Sequence, residues 1–216
     1  MMFSKKFILW LVPKILPPKF FSEKELNSCS KLLESNKNKY LHSRSFIREA
    51  MSDILDLNPQ SVPLEGEFGK IPSIPSKYGY ISLSHCDNAL LIGWSTEKLG
   101  VDIEKINRKF NAKKIMMRNY FEDEINKLKL IKNKEEFRMA VLKLWVLKES
   151  SIKLQGGSIA KDLLNWQINL SEKISQNKYS GLKFNSYCFR YKDWYLGMAT
   201  QNINLDKSTP FICDMF

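Results

Sequence analysis

The constraint that most narrows the fold is an interleaving of strand-like and helix-like stretches that never settles into a regular βαβ rhythm. Apolar runs predict strands over Tyr80 to His85, Ala89 to Trp94 and Gly100 to Glu104, the first two forming a hairpin that turns at Asp87-Asn88. Helical spacing predicts two helices between Ser22 and Leu57, around Glu23 to Leu33 and Leu41 to Leu57, with Asn58-Pro59 closing the second. Pro63, Pro72 and Pro75 argue against regular structure in the stretch that runs to Lys77. Asn111 to Gly157 reads as helical with a break near Lys132 to Lys134. The long helix after that break has legible ends: Asn133 with Glu136 resembles a capping box, and Gly156-Gly157 supplies a left-handed stop. Strand-like runs return at Trp166 to Leu170, Phe184 to Tyr191 and Trp194 to Thr200, the last two joined by a turn at Lys192-Asp193. This order favours an α+β fold over a doubly wound sheet, with a boundary placed near Leu99.

Near the start, Lys5-Lys6 followed by the apolar run Phe7 to Val12 imitates a secretory signal. The run is short, Pro13 and Lys14 interrupt it, and no small-residue cleavage site follows. It is read as an edge strand of the folded domain, and nothing in the chain approaches the ~20 apolar residues that a bilayer demands, so no membrane partner is expected. Cys29, Cys86, Cys188 and Cys213 show neither a CxxC pair nor metal-type spacing, which fits a reducing, cytoplasmic compartment. With 34 basic and 23 acidic residues the formal charge is +11. That charge suits an acidic protein, a nucleic acid or a polyphosphate as partner. Only six of the basic residues are Arg, so a lysine-rich codon bias accounts for the same excess, and charge alone separates none of these partners.

Two segments carry chemistry. In Gly100-Val101-Asp102-Ile103-Glu104, strand periodicity sends Val101 and Ile103 to one face and both carboxylates to the other. Adjacent acids repel unless a cation lies between them, and hard oxygen ligands at this spacing suit Mg²⁺; an isolated pair of this kind also describes an exposed, solvated strand face. On the long helix, steps of four align Trp145, Glu149 and Lys153 along one stripe, which alone equally describes a wedge residue beside a surface ion pair. Together the segments offer three protein oxygens to one metal, leaving its other positions to water or substrate phosphates.

Gly-Val-Asp-Ile-Glu followed by Trp145-Val146-Leu147-Lys148-Glu149-Ser150-Ser151-Ile152-Lys153 resembles the paired signature of 4′-phosphopantetheinyl transferases, a G-[IV]-D-x-E strand ahead of a W-x-x-K-E-[SA]-x-x-K helix. Upstream, Phe68-Gly69-Lys70-Ile71-Pro72 resembles the family's G-K-P segment with Ile71 inserted, and Ile81 to Cys86 resembles its S-[IL]-S-H-[SC] strand. Ser43-Arg44 with Arg48 is similar to the arginine-bearing helix of members that serve siderophore synthetases, and Phe121 with Glu124 fits the F-x-x-E turn between the two main motifs. The likeness spans about Tyr40 to Gly157.

The resemblance implies a monomeric, surfactin-type transferase built from two similar α+β halves, residues 1–99 and 100–216, in a pseudo-dimeric arrangement with coenzyme A in the cleft between them. It implies a Mg²⁺-dependent reaction, with Mn²⁺ as a substitute, in which the phosphopantetheine arm of coenzyme A passes to a serine of an acidic acyl or peptidyl carrier protein. By the same resemblance Asp102, Glu104 and Glu149 are the metal ligands, Lys153 contacts the pyrophosphate, and Ser84 and His85 bind the 3′-phosphate. Lys70 and an upstream basic residue, Arg44 or Arg48, add phosphate contacts, and Glu149, or a metal-bound water it orients, is the candidate base. No nucleic-acid partner is expected. A Mg²⁺-dependent nuclease is the rival enzyme class, although its acid-x-lysine strand is missing because Lys105 follows Glu104 directly and alternates to the other face. A basic RNA-binding module is a further alternative, but the aromatic residues do not cluster into a stacking motif.

Overall fold

The computed structural model describes residues 6–203 and 211–215. In chain order the elements are β1 (Phe7–Pro13), α1 (Glu23–Cys29), α2 (Glu34–Leu55), β2 (Tyr80–Cys86), β3 (Ala89–Ser95), β4 (Leu99–Lys105), α3 (Ala112–Asn119), α4 (Glu122–Lys129), α5 (Lys134–Gln155), α6 (Ile159–Asp162), β5 (Trp166–Asn169), β6 (Ile174–Asn177), β7 (Lys183–Tyr191), β8 (Trp194–Thr200) and β9 (Phe211–Asp214). The strands form two sheets, one ordered β2-β3-β1-β9 and the other β4-β8-β7-β6-β5. Every pairing is antiparallel except that of β1 with β9. The architecture is α+β, as the sequence predicts. No helix among the described residues is long and apolar enough to cross a membrane.

Strand periodicity builds the layers. Ile8, Trp10 and Val12 of β1 and Leu90, Ile92 and Trp94 of β3 meet Phe46, Ile47, Ala50, Met51 and Ile54 of α2. The opposite faces of those strands, Phe7, Leu9, Leu11 and Leu91, join Val101 and Ile103 of β4 and Leu196 and Met198 of β8 in a core between the sheets. The far side of the five-stranded sheet is covered by α5, through Val146 against Tyr195 and Ile152 against Trp166 and Ala199. Because side chains alternate along a strand, β4 gives its valine and isoleucine to the inter-sheet core and its two carboxylates to the α5 side.

Several expectations need correction. The run at Phe7 is an interior strand, not an edge, because β9 pairs on its outer side. β6, β9 and α6 have no counterpart in the sequence reading; each is four residues long, too short for a periodicity to register. The first helix ends at Cys29 rather than Leu33, and the second starts at Glu34 rather than Leu41. The early turns of α2, Glu-Ser-Asn-Lys-Asn-Lys, are polar and half-buried to exposed, so they carry no apolar stripe. α3 and α4 are separate helices, parted at Tyr120-Phe121. The caps of α5 are as expected in part: the Asn133 side chain accepts from Glu135 and Glu136 N–H, and Gly156 is left-handed at φ 75°.

Two glycines let α5 lie close on the sheet. A Cβ at Gly100 would stand 2.5 Å from the Leu154 amide nitrogen and closer still to the Ser150 carbonyl, and a Cβ at Gly197 would meet the Val146 carbonyl at 2.7 Å. These are backbone atoms of a packed helix and cannot move aside. Gly100→Ala is therefore expected to cost about 3 kcal/mol by forcing α5 off β4, a fall in melting temperature of roughly 6–12 °C in a chain of this size. Thermal unfolding of the variant measures it, and an unchanged midpoint would contradict so close a contact.

Candidate functional site

Helix α5 carries Glu149 over the acidic face of β4. Ligand atoms of Asp102, Glu104 and Glu149 all lie within 4.8 Å of one another, and the three residues are 2%, 8% and 8% exposed. The helix is held in register by a buried ion pair beside Glu149: Lys148 Nζ lies 2.8 Å from Glu124 Oε2 and also donates to the Trp166 carbonyl. Glu124 in turn accepts from the Phe121 and Ile168 N–H groups, each at 2.8 Å, so a single carboxylate ties α4, α5 and β5 together.

The second sheet edge at the site belongs to β2. The Ser82 hydroxyl accepts from the Val101 N–H (3.0 Å), covering the edge of β4 that β8 leaves unpaired, and the Ser84 hydroxyl donates to Asp102 Oδ1 at 2.6 Å. Lys153 Nζ reaches the same Asp102 oxygen at 2.7 Å. Arg108 pairs with Glu104 Oε1, and the Cys86 thiol lies 3.7 Å from Glu104 Oε2. Asp102 Oδ2, also buried, has no hydrogen-bond partner among the described residues.

Burial raises the pKa of Glu104, an effect opposed by Arg108. Glu149 is pushed up to about 8, by burial first and then by the Asp102 charge, with Lys153 pulling the other way. Buried oxygens that repel one another, with one acceptor left orphaned, suit a hard divalent cation: it would satisfy Asp102 Oδ2 and remove the reason for Glu149 to hold a proton. The residues present fit such an ion.

Beside the cluster opens a cleft of about 910 Å³ whose wall includes Lys14, Lys39, Lys70, His85, Arg108 and Lys109, together with Glu104. Tyr40 and Phe68 meet edge-on across it, with ring centroids 5.9 Å apart. The Ser43 hydroxyl donates to the Lys39 carbonyl and lies 2.8 Å from His85 Nε2, so the histidine supplies the proton of that contact. Desolvation in this wall, followed by the charges of Lys14, Lys153, His42 and Lys39, pulls the His85 pKa down to about 4. Its ring is thus neutral at neutral pH and presents Nδ1 as an acceptor until a nearby anion changes the balance.

The structure brings together Asp102, Glu104, Glu149, Lys153 and Ser84, and lines the adjoining cleft with Lys70 and His85. It also pairs the two arginines expected as phosphate contacts with an acid and with loop carbonyls, and Arg44 still lines the cleft. Arg44 donates to Glu25 (2.6 Å) and to the Glu65 and Leu64 carbonyls. Arg48 donates to Glu25 (2.9 Å) and to the Pro59, Gln60 and Val62 carbonyls. Both are buried, and Arg48 is absent from the cleft wall. Glu25 is also the capping-box acid of α1, a Ser-x-x-Glu signal visible in the sequence that places it at the helix start without naming the arginines as its partners. Lys14, Lys39, Arg108 and Lys109 were missed, because isolated surface bases carry no motif. Trp145 packs against the apolar clusters around Trp166 and Tyr195, and Lys105 lies over the Trp194 ring.

The pH dependence of the cation-free protein follows from Glu149. Its folded pKa lies above the unfolded value, so the folded state holds a proton that the unfolded chain releases, and stability falls as pH rises from about 4.5 to 8. Relative to Glu149→Gln, which has no proton to lose, the wild type in EDTA should lose on the order of a few kcal/mol across that range. Chemical denaturation of both proteins at pH 5 and pH 8 measures this; a gap that widens in favour of the wild type would contradict it.

The sequence model of the 4′-phosphopantetheinyl transferase superfamily matches residues 98–205, the span holding β4, α5, β8 and the whole carboxylate cluster. The chain is also similar to the 4′-phosphopantetheinyl transferase ffp of Bacillus subtilis, 30% identical over 129 residues that make up 58% of this chain and 55% of that protein. The match thus spans about half the length of the curated relative. A matched region covering half of the chain, carrying the three acids in the arrangement just described, shows that this chain belongs to the 4′-phosphopantetheinyl transferase superfamily.

Proposed function

We propose that this protein transfers the 4′-phosphopantetheine group of coenzyme A to a serine of an apo acyl or peptidyl carrier protein, in a Mg²⁺-dependent reaction that releases 3′,5′-adenosine bisphosphate. The observation that carries this reading is three buried carboxylates converging at the edge of a basic cleft, on the strand and helix that bear the family signature. The reading extends to a cytoplasmic monomer of the surfactin and siderophore-synthetase-activating type, made of two related halves, residues 1–99 and 100–216. In support of the halves, each lays a 22-residue helix, α2 or α5, on a largely antiparallel sheet, the first of which takes β9 from the second half as its outer strand.

In the reaction the carrier serine oxygen forms a bond to the β-phosphorus of coenzyme A, and the bond from that phosphorus to the bridging pyrophosphate oxygen breaks. Asp102, Glu104 and Glu149 would hold the divalent cation, which supplies charge neutralisation at the pyrophosphate. Lys153, at the cluster's rim and 24% exposed, is placed to donate to a phosphate oxygen once Asp102 no longer requires it. Glu149, the member of the cluster without a basic partner of its own, accepts the serine proton. Ser84 holds Asp102 in place. His85, Lys70, Lys14 and Lys39 bind the nucleotide phosphates. Acidic carriers would be drawn to a chain of formal charge +11.

Purified protein with Mg²⁺, coenzyme A and an apo-carrier should yield a carrier heavier by one phosphopantetheine in intact-mass analysis, and EDTA should prevent it. Asp102→Ala and Glu149→Ala should each lower the rate at least roughly a hundredfold while leaving the circular dichroism spectrum native. A fully active Asp102→Ala would remove the metal assignment. The anion site has its own readout: titration followed by NMR should place the His85 pKa below 6.5 in the free protein and raise it when coenzyme A is added.

A further inference from the structure

Two bases reach the carboxylate cluster, and only one of them belongs to the long-helix signature. Lys153 comes from α5. Arg108 comes from the turn that follows β4, where its backbone N–H donates to the Lys105 carbonyl at 3.0 Å. Its Nη1 pairs with Glu104 Oε1, the side chain of Glu104 being 11% exposed and that of Arg108 34%. The guanidinium also lies 5.7 Å from the Phe110 ring centroid, which steadies one side of it. Among the described residues the pairing with Glu104 is the guanidinium's one hydrogen bond, and both Arg108 and Glu104 belong to the cleft wall.

Arg108 therefore stands between two ligands of opposite sign. A divalent cation on Glu104 would share its carboxylate with a guanidinium and be repelled by it. A phosphate in the cleft offers that guanidinium a bidentate partner of the kind an arginine fork fits best. We propose that Arg108 is an exchangeable counter-ion, paired with Glu104 in the cation-free protein and passed to the phosphates of the bound nucleotide when the divalent cation takes Glu104. This rests on the reading of the cluster and cleft given above. The consequence is positive linkage: each ligand releases the contact that opposes the other, so each tightens the other's binding by the same factor.

The test is direct binding. Mn²⁺ is titrated into the full-length chain, with the free ion followed by electron paramagnetic resonance, in the absence and presence of coenzyme A. Wild type, Arg108→Gln, Arg108→Lys and Lys109→Gln are compared, with melting curves confirming that each is folded. Without coenzyme A, Arg108→Gln should bind Mn²⁺ roughly three- to tenfold more tightly than wild type. Coenzyme A should then tighten Mn²⁺ binding by that much less than it does in the wild type. Lys109→Gln removes an equal charge from the same cleft wall without releasing Glu104, and should change Mn²⁺ affinity by less than about twofold. Arg108→Lys keeps the charge without the fork, and should show wild-type Mn²⁺ affinity with reduced coupling. Weaker or unchanged Mn²⁺ binding in Arg108→Gln, or an effect matched by Lys109→Gln, overturns the proposal while leaving the metal reading intact. A wild type that takes up no Mn²⁺ under either condition overturns both.

Discussion

Three carboxylates buried within reach of one another set the terms for the rest of this molecule. Like charges out of water repel strongly and hold their positions only if the scaffold is stiffer than the repulsion. Here the scaffold is a strand and a helix in backbone contact. Gly100 and Gly197 remove the side chains that would separate α5 from β4 and β8, and the buried Lys148–Glu124 pair fixes α5 against α4 and β5. The charge is met locally by Lys153 on Asp102, by Arg108 on Glu104 and, in the absence of a cation, by a proton on Glu149. Each compensation is an ion pair or a proton, so each is reversible.

The junction of the two sheets decides where ligands can approach. β4 is the outer strand of one sheet and β2 of the other, and they meet through serine hydroxyls rather than ladder hydrogen bonds. Small hydroxyl side chains allow close approach and satisfy an otherwise open strand edge. They also carry Asp102 to the junction between the two sheets, next to the cleft that α2, the loop around Lys70 and the end of β2 enclose. β9 returns from the C-terminal part of the chain to pair with β1, and Asp214 accepts from Tyr191 and Lys192 at the β7–β8 turn, so the two sheets are joined on the side away from β2 as well.

Much of this was legible in the sequence, for a physical reason. The β4 and α5 motifs combine a period of two with a period near four, and both periods place chemistry on one face while the opposite face states its burial. The hairpin at Asp87-Asn88 and the left-handed stop at Gly156 were equally local, each written in its own turn residues. What escaped was non-local. The interior position of Phe7 to Val12 depends on β9, more than 190 residues downstream in a four-residue strand. The engagement of Arg44 and Arg48 depends on Glu25, and a helix that bears arginines reads the same whether they face a ligand or a buried acid.

That engagement shapes the charge the cleft wall presents. Arg44 and Arg48 donate to Glu25 and to loop carbonyls, where removing one would leave a buried charge unpaired, so they clamp α1 and the loop over residues 59–65 to α2. The same wall carries Lys14, Lys39 and Lys70, flexible point charges, and His85 held by Ser43. Lysines impose little geometry on a phosphate, whereas an arginine fork imposes a good deal. Arg108, whose side chain makes a single hydrogen bond among the described residues, stands at the end of the cleft where the carboxylates lie. The planar donor fork of Arg108 thus lies beside the carboxylate cluster, while the rest of the cleft wall offers mainly flexible lysine charges that impose less geometry on whatever they meet.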